Sequence, residues 1–295
     1  MARVRTSAIH IGALNVVLQP HSPELYLRMF MTLAKGKFDA RVRGDDAILL
    51  GSCHYLDKDN PLMGGRGDLY KFLKLDATEA WFNTREMDEA SEDDVAELNI
   101  PDYLKPHFRK FQYIFFPKGH RMYIITKKAK QSLSQDQVKR FLTTVFERAE
   151  FAGFGQLSVT VQPDPNGLLE MLSLKRISKL RMEIDRPNPD DHEDLEEEIL
   201  RRLNRMNART EKLEYLEASN TGLVVDEEVR ALADVAKDNG FVYVEGKDAD
   251  NVKQYLSTKN MPLHVTARYN PNLMSEFDAF YDKVVEVNQD ILRAQ

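Results

Sequence analysis

The residues from 176 to 195, Arg-Ile-Ser-Lys-Leu-Arg-Met-Glu-Ile-Asp-Arg-Pro-Asn-Pro-Asp-Asp-His-Glu-Asp-Leu, permit very few local conformations. Lys179, Arg181, Glu183 and Asp185 alternate with Leu180, Met182 and Ile184, which predicts a half-buried strand. Pro187 and Pro189 carry no backbone N–H, so a sheet ladder must stop there. They also hold Arg186 and Asn188 in extended backbone. Asp190 then suits a helix N-cap, with Glu193 completing an acidic capping box. The stretch therefore predicts a strand, a rigid corner and the start of a long helix. Asp185, Arg186, Asn188, Asp190 and Asp191 crowd onto that corner. Turn and capping chemistry gives each a local role. A carboxylate cluster for Mg²⁺ and a partner-binding corner are the sharper readings.

A chain of 295 residues holds one large domain or two ordinary ones. Its 42% hydrophobic and 30% charged content describes a soluble globular protein. No apolar run approaches the ~20 residues that span a bilayer. The first residues, Met-Ala-Arg-Val-Arg-Thr-Ser, resemble a strand more than a signal peptide. With Cys53 alone, an intrachain disulfide and a cysteine zinc site are excluded, and a cytoplasmic location is the expectation.

The periodicities predict the remaining elements. A long apolar strand over 3–18 ends at Pro20, and Ser22-Pro23 starts a helix that runs to Gly36. Strands at 39–43 and 46–56 flank Arg43-Gly44-Asp45-Asp46. Gly64-Gly65-Arg66-Gly67 reads as a turn into a strand, not a phosphate loop, because no Lys-Ser/Thr pair and no helix follow. Residues 86–97 hold seven acids and read as an excursion that could cover a basic surface. Trp81 reads as a core anchor beneath it. Ser134-Gln-Asp-Gln137 is a capping box for a helix with Val138, Phe141, Leu142 and Val145 on one face. Leu195, Ile199, Leu203, Met206, Thr210 and Leu213 form a narrow seam, suited to packing on a sheet or to a dimer contact. Asp226 caps a further helix, which Asn239-Gly240 closes in a left-handed cap. Strands at 241–246, 252–256 and 262–268 make a small sheet, and a final amphipathic helix follows. The expected fold is α+β, with mixed or antiparallel sheets, a long helix after residue 190 and a small C-terminal unit. The expected boundary separates 1–187 from 188–295.

Charge carries the functional reading. Residues 1–181 have 27 Lys+Arg against 22 Asp+Glu, whereas 182–295 have 14 against 25. Such asymmetry suits self-association or a face that meets a polyanion. From Tyr103 to Lys130 there are eight cations and no acid. Lys105, Arg109, Lys110, Lys118, Arg121, Lys127, Lys128 and Lys130 are interleaved with Tyr103, Phe108, Phe111, Tyr113, Phe115, Phe116 and Tyr123. Around the turn Pro117-Lys-Gly-His120 this reads as a hairpin with a cationic ridge, the electrostatic footprint of a phosphate-binding surface. The alternative is a hairpin whose aromatics are core and whose cations are merely solvated. Lys175, Arg176 and Lys179 form a second basic group.

Catalytic signatures are missing. The seven histidines lack helical zinc-site spacing, and no nucleophile elbow, Walker loop or dinucleotide fingerprint occurs. No cofactor and no resident metal are expected. Clustered carboxylates at Asp185, Asp190 and Asp191 leave a metal-dependent nuclease as the enzymatic alternative.

Ala13-Leu14-Asn15, Pro20-His21-Ser22, Arg43-Gly44-Asp45, Trp81-Phe82-Asn83, Arg186-Pro-Asn-Pro-Asp-Asp191, Asn239-Gly240 and Ser257-Thr258-Lys259 resemble a bacterial family catalogued as a domain of unknown function. The resemblance covers nearly the whole chain. The C-terminal pattern, with Lys247-Asp248 in a turn before Tyr255-Leu256-Ser257-Thr258-Lys259, is similar to the phage Rex exclusion protein A. Component B of the Kiwa defence system is similar in architecture. These resemblances imply DNA binding by a homo-oligomer, in phage exclusion or anti-phage defence. They transfer no residue as a DNA contact. A protein-interaction subunit serving an effector is the remaining alternative.

Overall fold

The computed structural model describes residues 6–75, 79–97, 100–187 and 193–294. Asn188, Asp190 and Asp191 of the signature corner, and with them the expected N-cap, lie outside the described residues.

The first half runs β1 (Ser7–Gln19), α1 (Pro23–Gly36), β2 (Asp39–Arg43), β3 (Asp46–Leu50), β4 (His54–Tyr55), β5 (Gly65–Leu73), β6 (Phe82–Asn83), β7 (Asp88–Glu89), α2 (Glu92–Ala96), β8 (Arg109–Phe116), β9 (Arg121–Lys128), β10 (Gln131–Ser132), α3 (Gln135–Phe146) and β11 (Gln156–Val161). Then come α4 (Pro165–Leu172), β12 (Arg176–Asp185), α5 (Glu193–Arg205), β13 (Thr210–Leu216), α6 (Glu227–Asn239), β14 (Gly240–Lys247), β15 (Lys253–Ser257), β16 (Val265–Tyr269) and α7 (Glu276–Ala294). The fold is α+β, as the periodicities predict. The helix starts hold as well. Ser22 accepts the Leu25 N–H, Ser134 and Gln137 form a reciprocal capping box, and Asp226 accepts the Val229 N–H.

Two antiparallel sheets, each with its own apolar core, organise most of these elements, and β6 and β7 pair only with each other. The larger has the order β11-β1-β9-β8-β5-β3-β2, with β16 also on β1, β10 on β9 and β4 on β5. Directly paired residues share a face. Tyr113, Phe115 and Met122 therefore share one side, where Phe30 of α1 lies at 5.6 Å from Tyr113 and 4.7 Å from Phe115. Gly12 lies so close beneath α3 that a Cβ there would meet the Gln135 side chain. Ala13, Ile114 and Tyr123 share the other side, where the Tyr123 hydroxyl donates to Asn288 of α7 at 3.0 Å. The hairpin expected around residue 118 thus forms, but in mid-sheet. Phe111, Tyr113, Phe115 and Tyr123 are buried in its core.

The smaller sheet has the order β13-β12-β14-β15. Leu180, Met182 and Ile184 of β12 meet Val242, Val244, Ile199, Leu203, Ala233 and Ala236 in the second core. The alternating charges of β12 lie on the opposite face, where Lys179 pairs with Glu214 and Lys212 with Glu183.

Several expectations change. The helix after the corner ends at Arg205, and Thr210 and Leu213 belong to β13. The seam is thus one helical face, which packs on its own sheet through Ile199 and Leu203, continued by a strand. The residues expected as a third C-terminal strand cross back instead, and β16 pairs with β1. The two sheets consequently do not divide at residue 187: β12 lies in the second sheet, whereas β16 and α7 return to the first core. Gly65-Arg66-Gly67 is strand rather than turn, paired with Phe115, Ile114 and Tyr113 of β8, and glycine is needed at 67 because a Cβ would collide with the Ser52 carbonyl. Gly240 is extended (φ 176°), so it is no left-handed cap. Glycine is required there because a Cβ would collide with the Glu183 carbonyl oxygen on β12. Trp81 is half-buried and belongs to neither core, and Phe82 beside it is exposed.

Candidate nucleic-acid interface

The strands of the β8–β9 hairpin are eight residues long, so its two ends are about 25 Å apart. At the turn end Lys118 is exposed, but Arg121 is only 1% exposed. Arg121 donates to the Asp238 carboxylate at 3.2 Å. It cannot present its charge to a phosphate, which removes it from the predicted ridge. Alternation explains the burial: Arg121 pairs with Asn15 across β1–β9, on the side that α6 covers.

A buried polar junction forms around that contact. Asp238 also accepts from Gln162 at 2.6 Å, and its backbone carbonyl accepts from Asn15 at 2.9 Å. Asn15 further donates to Asn239 Oδ1 at 3.2 Å, and Asn239 donates to Glu196 of α5 at 3.0 Å. Beside the junction, His120 packs edge-on against His21 at 4.7 Å and near Tyr26 at 5.1 Å. Sequence reasoning missed this set, although Asn15 was a visible anomaly in an apolar strand. The fragments Ala13-Leu14-Asn15 and Asn239-Gly240 thus meet in space, joining the two sheets.

The corner has a structural task nearby. Arg186 donates to Asn204 at 2.9 Å and to the Ala208 carbonyl at 3.1 Å, clasping the end of α5. Gln19 of β1 donates to the Pro187 carbonyl at 3.1 Å. Asp185 accepts the Thr210 hydroxyl at 2.6 Å. Among the described residues no cluster of His, Cys, Asp or Glu could hold a metal ion. The Ser257-Thr258-Lys259 fragment also acts locally. Thr258 accepts the Val242 N–H, and the Lys259 ammonium lies 3.5 Å from the centre of the Phe241 ring. Burial pulls the Lys259 amine below the ordinary lysine range.

The open end of the hairpin is different. The turn from β9 to β10 carries Lys130 and separates two grooves. One, of about 420 Å³, is lined by Phe108, Arg109, Lys110, Lys128 and Tyr269, with Glu276 as its acid. Lys128 pairs with Glu276 at 2.6 Å and Lys110 with Asp68 at 2.9 Å. The Asp68 hydrogen bond raises the Lys110 pKa. The other groove, of about 850 Å³, is lined by Lys127, His10, Arg43 and His264, with the α3 N-terminus and its Asp136 as one wall. Lys71 lies beneath it, buried against Asp46 at 2.8 Å. The α3 amides add the partial positive charge of a helix start. Arg43, His10 and His264 come from distant parts of the chain, so no local pattern could have grouped them.

The ten predicted phosphate contacts therefore divide. Lys110, Arg121, Lys128, Arg176 and Lys179 are engaged with Asp68, Asp238, Glu276, Glu217 and Glu214. Arg109, Lys118, Lys127 and Lys130 form no ion pair among the described residues, and Lys175 donates only to Asn251 at 3.1 Å. The seven acids of 86–97 form no ion pair with these cations, so the excursion does not cover them through direct contacts.

Residues 7–285 match the family described as Domain of unknown function (DUF4747). The chain belongs to that family. None of the curated proteins matches it. Among the described residues no helix is long and apolar enough to cross a membrane.

Proposed function

We propose that the protein binds nucleic acid through backbone phosphates, without strong sequence preference, at the open end of the β8–β9 hairpin. One observation carries the reading: at this end of the hairpin Arg109 in one groove, Lys127 with Arg43 in the other, and Lys130 in the β9–β10 turn have no carboxylate partner among the described residues. An unpaired cation keeps its full attraction for a phosphate, whereas one already bonded to a carboxylate must first exchange partners. The proposed setting is anti-phage defence or phage exclusion in the bacterial cytoplasm. That setting, and assembly as a homo-oligomer, rest on the resemblance and on the charge asymmetry between the two halves of the chain.

A salt titration of wild-type binding to a DNA duplex and to a single strand tests the reading. Neutralising three or four phosphates gives a log–log slope of about −3 to −4 on a duplex, and affinity falls roughly a hundredfold over a fourfold rise in salt. Affinity independent of salt, or no binding to either form at about 50 mM salt, would remove the proposal.

A further inference from the structure

The segment without acids sorts its aromatics into two groups. Phe111, Tyr113, Phe115 and Tyr123 are fully buried and the half-buried Phe116 packs on the same core, but Tyr103 is 83% exposed and Phe108 is 59% exposed. Core packing therefore accounts for the first group only. The Phe108 ring is not loose. It is held edge-to-face by Tyr70 at 5.2 Å and 68°, and it lines the smaller groove beside Arg109, Lys110 and Lys128. The opposite side of the β9–β10 turn adds Lys127, and the turn itself carries Lys130.

We infer that this groove takes a single-stranded nucleic acid, with one base stacked on Phe108 and an adjacent phosphate held by Arg109, the strand continuing over the β9–β10 turn toward Lys130 and Lys127. The inference rests on the phosphate-binding reading above and adds the strandedness of the ligand. In a duplex each base face is covered by its neighbour, so an aromatic ring beside phosphate-binding cations gains nothing from it. A single strand offers both a charged backbone and free base faces, and it matches an exposed aromatic ring among cations. The balance of charge also favours a polyanion over an acidic or apolar protein. Glu276 is the single acid lining the groove, and Lys128 engages it.

The test measures fluorescence anisotropy with a labelled oligothymidine strand and a duplex of equal length, at matched low salt. The proteins are the wild type, Phe108→Ala and Phe108→Trp. The inference expects the wild type to prefer the single strand. Phe108→Ala should lose about tenfold in affinity for it, the scale of one stacked base, with duplex affinity unchanged. Phe108→Trp should retain wild-type affinity, because it keeps a stacking face. Equal affinity for the two forms, a preference for duplex, or a Phe108→Ala variant indistinguishable from wild type would overturn the inference while leaving phosphate binding in place. Failure of the wild type to bind either form would overturn both readings together.

Discussion

At the turn end of the β8–β9 hairpin, Arg121 is sealed beneath α6 against Asp238. At its open end, Arg109, Lys127 and Lys130 reach solvent without an ion pair among the described residues. The same acid-free stretch supplies all four cations, so local composition cannot tell them apart. What separates them is the sheet. Mid-sheet position and strand alternation aim Arg121 at a second packed unit, where a charge is tolerated only when paired. Beyond Thr126 the cover thins: Lys127 and Lys130 are exposed, whereas Lys128 is half-buried against Glu276 of α7. One end of the hairpin therefore acts in assembly of the fold, and the other is available for a ligand.

Mutations at the turn end should damage stability first. Asp238→Ala removes the carboxylate that Arg121 and Gln162 engage inside the buried polar junction, and the expected loss is about 3–5 kcal/mol in urea unfolding. Replacing both partners with apolar residues of similar size should be much milder, because no buried charge is then left alone. A double variant as unstable as Asp238→Ala would show that the ion pair itself holds the sheets together. Asn15→Ala is a smaller probe of the same junction. It removes the hydrogen bonds to the Asp238 carbonyl and Asn239, at an expected cost of about 1–3 kcal/mol. Equal stability of Asn15→Ala and wild type would mean that the junction is held by packing alone. Neither junction site contacts the proposed ligand surface, so variants that still fold should bind nucleic acid as the wild type does.

The local elements were largely legible in the sequence. Helix starts at Ser22, Ser134 and Asp226 follow from side-chain oxygens that reach backbone N–H groups a few residues on. The alternation in β12 was visible because one face of its sheet is core and the other carries paired charges. The path of the chain between sheets was not legible. Residues 262–268 read as a strand, but nothing local specifies that the strand formed there, β16, pairs with β1 instead of β15. The seam from Leu195 to Leu213 misled because its spacing continued across a helix end into an edge strand. At the candidate site, the basic hairpin was legible, whereas the fate of each cation was not. Asp238 lies 117 residues from Arg121, and Glu276 lies 148 residues from Lys128. Glu217, which captures Arg176, follows the end of β13 and also accepts the Gly222 N–H. These two groups hold the Glu217 carboxyl below its usual range, with the Arg176 hydrogen bond as the leading cause.

The most direct measurement places charge reversals at the two ends of the hairpin side by side. Lys127→Glu/Lys130→Glu alters the open end, and Lys118→Glu alters the exposed turn about 25 Å away. All three positions are exposed and unpaired among the described residues, so each protein should unfold at nearly the wild-type denaturant concentration. The account predicts that the open-end variant loses about tenfold or more in affinity for a single strand and that its salt slope shrinks by about 1.4. The turn-end variant should match the wild type in both. Equal losses in the two variants, or a loss confined to Lys118→Glu, would contradict the assignment of the ligand surface to the open end.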